Sequence, residues 1–166
     1  MNEDGKPPVS AVDRVRDALT RLGMDGRVVE FPTSTRTAQE AADTVGSTVA
    51  QIAKSLIFLA AGTPILVIAS GKNRVSEKKL KAHLGAKMRR ANADDVRDAT
   101  GYAIGGVPPV AHARPLRTLI DEDLLNFAEI FAAAGTPRAV FRLTPAELVR
   151  ITGGEVMDLR DERHEA

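Results

Sequence analysis

A lysine, a glycine–proline loop and a run of basic residues hold most of the chemistry this sequence can offer. Lys54 follows Ile52-Ala53 and precedes Ser55-Leu56-Ile57-Phe58, where a short helix hands over to an apolar strand. An amine there is partly desolvated, so it either meets an anion or loses basicity. It reads equally as a lysine snorkelling from a strand edge. The segment Thr100-Gly101-Tyr102-Ala103-Ile104-Gly105-Gly106-Val107-Pro108-Pro109 has no helical or strand period. Gly105-Gly106 permits close backbone approach and presents consecutive N–H groups, and the two prolines stiffen the chain beyond them. Such a row of amides can orient a carbonyl or bind a developing oxyanion. The same composition also makes a plain structural turn. It is neither a GxGxxG fingerprint nor a P-loop.

Other chemistries are poorly served. The chain has no cysteine, which excludes a thiol nucleophile, a disulfide scaffold and a Cys-ligated metal. Its three histidines, His83, His112 and His164, have no metal-ligand spacing, so no metal site and no cofactor are expected. His112 lies just past the loop and reads as a hydrogen-bonding group or an auxiliary to the site. Ser55 and Ser70 lack the G-x-S-x-G context of an activated serine. Asp121-Glu122-Asp123 reads as a helix cap rather than a cation site.

The 166 residues carry a net charge of only +1, unevenly distributed. Between Gly71 and Arg90 stand eight basic residues and one acid, a local +7, so the remaining 15 basic and 21 acidic residues carry −6. Lys72 and Arg74 flank the end of a strand, and Lys78, Lys79 and Lys81 decorate the helix after it. The stretch suits a phosphate backbone, or it is one solvated helix face. With 4% aromatic residues and no tryptophan, base stacking is a poor mode of binding. Contacts to phosphates and shape fit a folded RNA end better than sequence-specific DNA.

The elements that must position these residues alternate irregularly. Helices are expected after Ser10 up to Gly23, after Thr37 up to Gly46, from Ser47 through Lys54, over Ser76–Leu84, over Asp94–Thr100, and from Thr144-Pro145-Ala146-Glu147 onward. Each is marked by a capping residue, a glycine stop or both. Strands are expected at Arg27–Phe31, Lys87–Arg89, Thr118–Ile120, Ala128–Ala132, Arg138–Leu143 and Val156–Leu159. Leu56–Ala60 and Pro64–Ser70 should form a hairpin buried on both faces. No βαβ rhythm holds, so the fold class is α/β of the α+β type. A mixed, partly closed, barrel-like sheet with flanking helices is expected. Residues 1–9 read as a disordered tail, 10–160 as a single domain and 161–166 as a second tail, with solvation beginning at Asp158. The N-terminus has no signal-peptide core and no apolar run reaches membrane length, so the expectation is a cytoplasmic protein with no membrane partner.

The fragments Thr37-Ala38-Gln39-Glu40-Ala41-Ala42, Gln51-Ile52-Ala53-Lys54-Ser55-Leu56, Ala69-Ser70-Gly71-Lys72-Asn73-Arg74-Val75, Leu84-Gly85-Ala86, Thr100-Gly101-Tyr102 and Gly105-Gly106-Val107-Pro108-Pro109 occur in a telling order. Together they resemble the YbaK/EbsC family of aminoacyl-tRNA deacylases, and with it the editing domain inserted in bacterial prolyl-tRNA synthetases. The resemblance runs from about Val12 to Leu159. It implies a YbaK-like fold and hydrolysis, in trans, of the ester joining a wrong amino acid to the 3′ end of tRNA. The substrate would be tRNA for proline carrying alanine, cysteine or a similar small residue. Lys54 would anchor the substrate, while Gly105 and Gly106 would offer backbone amides to the ester carbonyl. Tyr102, Val107, Pro108, Pro109 and His112 would line the substrate's place, and Lys72, Arg74, Lys78 and Lys79 would meet the acceptor end. The nucleophile implied is water, assisted by a ribose hydroxyl of the substrate. Prolyl-tRNA synthetase is a candidate partner; DNA is not. The alternative is a non-catalytic module that binds a tRNA end or an amino-acid ligand beside a synthetase. Ala111 departs from the family pattern, standing where many relatives have glycine.

Overall fold

The computed structural model describes Gly5 and residues 9–163; the rest of the expected N-terminal tail, and His164 with the last two residues, lie outside the described part. Local capping decides where most helices begin. Ser10 accepts the Asp13 N–H at the start of α1 (Ala11–Arg21), and Thr37 accepts that of Glu40 at the start of α2 (Ala38–Val45). Ser76, Asn92 and Thr144 do the same for α3 (Glu77–Leu84), α4 (Ala93–Thr100) and α5 (Pro145–Thr152). Each side-chain oxygen satisfies an N–H that the first helical turn leaves free.

Eight strands form one mixed sheet: β1 (Val28–Glu30), β2 (Ile52–Ala60), β3 (Thr63–Ser70), β4 (Met88–Arg90), β5 (Arg117–Asp121), β6 (Ile130–Ala133), β7 (Ala139–Leu143) and β8 (Glu155–Met157). Their order is β1-β7-β6-β2-β3-β5-β8, with β4 also on β2. The sheet is open, with β1 and β8 at opposite ends of the path. β2 and β3 make the expected hairpin, turning on Ala61 and Gly62, both at positive φ as a tight two-residue turn requires. The neighbours β2–β6, β3–β5 and β5–β8 run parallel, and the others antiparallel.

β3 is buried on both faces as its composition predicts. Leu66 and Ile68 join the larger core with Leu19, Ile120, Phe141 and Leu148, while Ile65, Val67 and Ala69 pack in a second cluster with Leu80 of α3. β2 is buried on both faces over Ile57–Leu59, with Ile57 and Leu59 in the larger core and Phe58 in the second, but Leu56, with Lys54 and Ser55 ahead of it, is not fully buried. Nor does a helix carry Ile52 and Lys54. A 3-10 turn ends at Gln51, because Ile52 and Ala53 are already paired with Phe131 and Ala132 of β6.

The segment expected to be solvated from Asp158 is fastened as far as Asp161. Leu159 is fully buried and its carbonyl accepts the Ser76 N–H at 2.8 Å, Arg160 bridges to Val75, and Asp161 N–H reaches the Arg74 carbonyl at 2.7 Å. Leu159 docks it together with these backbone bonds, an apolar residue among charges packed in the cluster of Leu80. Among the described residues no helix is long and apolar enough to cross a membrane.

Candidate functional site

β2 keeps β3 along one edge, but shares its other edge between two short strands. β6 covers Ile52 and Ala53, β4 covers Phe58 to Ala60, and Ala91 N–H bonds the Ile57 carbonyl at 3.0 Å. Lys54, Ser55 and Leu56 therefore have no strand partner on that edge. Peptide groups alternate in direction along a strand, so the Ser55 N–H and C=O point the same way as those of Ile57, into the opening. A cavity of about 220 Å³ lies there, bounded by β2, β6, the first turn of α2, Ala91 and the Ile104–Val107 loop. Its walls are mainly apolar, including Ile57, Val96, Val107 and Ala132. Among the described residues its charged lining consists of Arg36, Lys54 and Arg90, with no carboxylate. Such a cavity suits a ligand with a small apolar part and a negative charge. Ser55 adds a buried hydroxyl without a hydrogen-bond partner among the described residues.

The Lys54 ammonium donates to the Asn73 carbonyl at 2.6 Å. Burial, with the positive charge of Arg90, holds its pKa below the ordinary lysine value, and Asp121 pulls it back up. The carbonyl is placed by the turn after β3, where Asn73 N–H bonds the Ser70 carbonyl and Gly71 N–H bonds the Ile52 carbonyl. Only glycine fits at 71, since a Cβ would run into the Val49 carbonyl oxygen. Lys54 is thus a cavity residue, not a free surface lysine.

The Gly105–Pro109 loop faces Lys54's cavity with fewer residues than its sequence promised. Gly105, exposed and at φ +89°, and Val107 line the cavity, as does the exposed Ile104. Gly106 does not: it is buried, and its N–H is already donated to the Ala103 carbonyl at 3.0 Å. The expected pair of open amides is therefore reduced by one, because the loop uses Gly106 to close its own turn. Gly106 is glycine for packing, since a Cβ would stand 2.7 Å from both the Gly135 oxygen and the Thr136 Cα. Pro108 and Pro109 are buried, and neither lines the cavity.

Tyr102 and His112 also lie outside the cavity lining and brace the loop from behind. The Tyr102 hydroxyl donates to the Ala111 carbonyl at 2.8 Å, and the Arg14 guanidinium sits 4.8 Å above its ring. His112 Nε2 is 2.6 Å from the Pro108 oxygen, so the ring donates there in its Nε2–H form. Burial keeps this imidazole's pKa below the usual histidine value. Ala111 lies at φ +67°, the left-handed region that glycine occupies without strain.

In the basic stretch, Lys72, Arg74 and Lys78 are exposed, and the first two flank the Asn73 that holds Lys54. Lys79 is engaged. It bonds Asp158 at 2.9 Å, the Arg160 carbonyl at 2.7 Å and Glu162 at 3.3 Å, thereby pinning the C-terminal segment. Sequence reasoning passed over Ser55, Arg36 and Arg90 as cavity residues. It read Asp121 as a cap, and Asp121 does accept the Asp123 N–H. The same carboxylate also grips the Asn73 turn, which no local pattern announces.

A family model described as an aminoacyl-tRNA editing domain matches residues 33–151. The chain is 35% identical to the uncharacterized protein YwhH of Bacillus subtilis (strain 168), over 86% of this chain and 91% of that one. It is 29% identical to a proline–tRNA ligase of Streptococcus equi subsp. zooepidemicus over 80% of its own length, but spans only 21% of that enzyme. A crystal structure of a proposed trans-editing enzyme for prolyl tRNA synthetase superposes with a TM-score of 0.87 at 48% identity, over 95% of this chain and 99% of that one.

Proposed function

Because the chain belongs to the aminoacyl-tRNA editing domain family, we propose that it hydrolyses the ester of a mischarged aminoacyl-tRNA, acting as a separate protein on tRNA for proline that carries alanine, cysteine or a similarly small residue. The observation that carries this reading is the cavity at the opening of β2, with apolar walls, three cations and no acid in its lining. The aminoacyl end of a polyanion has matching chemistry: a small side chain for the apolar walls and a phosphodiester for the cations. The substrate's α-ammonium meets no carboxylate there, so the Ser55 carbonyl at the strand edge is its acceptor.

In this mechanism Lys54 anchors the terminal nucleotide by its phosphate, and the Gly105 N–H, which has no partner within the loop, faces the ester carbonyl. Water, assisted by a ribose hydroxyl of the substrate, adds to that carbonyl. The tetrahedral intermediate collapses with cleavage of the bond to the ribose oxygen, which takes a proton. Free amino acid and uncharged tRNA leave. No protein nucleophile is required, and the absence of cysteine removes the strongest candidate for one. Lys72, Arg74 and Lys78 supply phosphate contacts along the acceptor end, whereas Lys79 is committed to the C-terminal segment. Prolyl-tRNA synthetase is a partner by kinship with the inserted editing domain.

The test is a deacylation panel of alanine, cysteine and serine esters of tRNA for proline. The wild-type protein should release amino acid from at least one, and Lys54→Ala should lower the rate by about 100-fold or more with unchanged circular dichroism and melting. Salt-sensitive tRNA binding without product would replace the hydrolase by a binding module.

A further inference from the structure

We infer that Asn73, gripped by the Asp121 and Asp123 carboxylates, is the positioning residue of the Lys54 ammonium. The inference rests on the editing reading only for the consequence that losing the position lowers turnover. Asn73 is 4% exposed and makes contact in two directions. Its backbone oxygen accepts from Lys54 Nζ at 2.6 Å, and its side-chain Nδ2 donates at 2.8 Å to both Asp121 Oδ2 and Asp123 Oδ2. Both amide hydrogens are thus spent on carboxylates, which leaves the residue no freedom to rotate about the turn.

Asp121 is 1% exposed. It accepts N–H groups from Ser70 and Asp123 at 2.9 Å each, together with the Asn73 amide. No Lys or Arg side chain forms a salt bridge with it among the described residues; Arg160 approaches Asp123 instead, at 3.6 Å. A buried carboxylate balanced only by dipoles is a costly way to hold a turn, because a neutral amide could accept some of the same bonds without desolvating a charge. The charge has a use one residue away. Lys54 shares the cavity with Arg36 and with Arg90 from β4, and the charge of Arg90 opposes its ammonium. Asp121, in contact with the Asn73 amide, is the negative charge that offsets Arg90. The carbonyl fixes where the ammonium sits, and the carboxylate behind it favours its protonated form.

The experiment follows the Lys54 side chain by NMR in protein with 13C-labelled lysine, titrating wild type, Asp121→Asn and Asn73→Ala, with deacylation kinetics alongside. In Asp121→Asn the Lys54 titration should move to lower pH, and kcat should fall about 10- to 100-fold with KM changed less than about threefold. In the Lys54→Ala background the same substitution should cost no further activity. Asn73→Ala, which keeps both the backbone carbonyl and Asp121, should lower kcat similarly and serves if Asp121→Asn fails to fold. An unmoved Lys54 titration in folded Asp121→Asn, or an equal loss of rate with and without Lys54, overturns the inference. The NMR titration needs no substrate, so absence of deacylase activity in the wild type would overturn the functional reading alone.

Discussion

Lys54 and the Gly105–Pro109 loop face the same cavity, yet the first is held by charge and hydrogen bonds and the second by close packing. Behind Lys54 stand a carbonyl, an amide and two carboxylates, in contact in that order. Behind the loop stands the Gly135–Thr136 turn, so near that Gly106 has no room for a methyl group, with Tyr102 and His112 as ties. A polar chain answers to protonation and forgives small changes of volume. Close-packed backbone does the reverse. A site that must bind an anion and orient an ester uses both kinds of support, one for each task.

Gly106→Ala tests the packed side most severely. The new Cβ meets backbone, not a flexible side chain, so the loop must shift. We expect about 1–3 kcal/mol of destabilisation and at least about a tenfold loss of deacylation, with the Lys54 titration unmoved. Denaturant unfolding and single-turnover kinetics measure both. A variant with wild-type stability and rate would show that the loop yields, and the contrast between the two walls would disappear.

His112 places a titratable group on the wall held otherwise by packing, and its pH dependence runs in a defined direction. Burial lowers its folded pKa, against a smaller opposing effect of the Pro108 carbonyl. The unfolded chain therefore binds this proton more readily than the folded one. Its contribution to stability is intact above the ordinary histidine value of about 6.5, falls as pH drops through it, and levels off below the lowered folded value. His112→Asn should cost about 1 kcal/mol near neutrality by weakening the tie to Pro108. It should lose less than wild type between about pH 7.5 and about pH 5, a window spanning that histidine value. Equal losses in the two proteins would remove this imidazole from the pH response.

Much of the scaffold was legible because its causes are local. Ser10, Thr37, Ser76 and Thr144 announce helix starts within a few residues of themselves, and the unbroken apolar run of Pro64–Ser70 marks a strand buried on both faces. Lys54 stood out for the same reason, as a charge between apolar neighbours. The hidden features depend on distant partners. The opening in β2 exists only because β6 and β4 stop short of each other, and Ser55 carries no sign of that. Asn73 and Asp121 are 48 residues apart, and each alone reads as a turn or a cap. Gly106 was singled out for close backbone approach and for an open amide, and only the close approach is found. The cause of its small size, the Gly135–Thr136 backbone, comes from another part of the chain.

Ala111 is where the packed wall departs from ease, and it gives the smallest effect. At φ +67° its Cβ crowds the backbone, which costs about 1–2 kcal/mol relative to an ordinary conformation. Glycine would remove that cost but return about 0.4–1 kcal/mol by loosening the unfolded chain. The methyl group also packs partly against the main core, so its loss subtracts a further fraction. Ala111→Gly should therefore stabilise by about 0.5 kcal/mol, a rise of about 1–2 °C in Tm for a chain of this length. Because the Ala111 carbonyl receives the Tyr102 hydroxyl, the backbone at 111 is held from outside, and relaxing it should change deacylation by less than about twofold. A clear loss of stability would mean that the methyl contact outweighs the strain. A clear gain in stability with a marked loss of rate would mean that the strained residue presses Pro108 and its neighbours toward the cavity, adding a third kind of support to this wall.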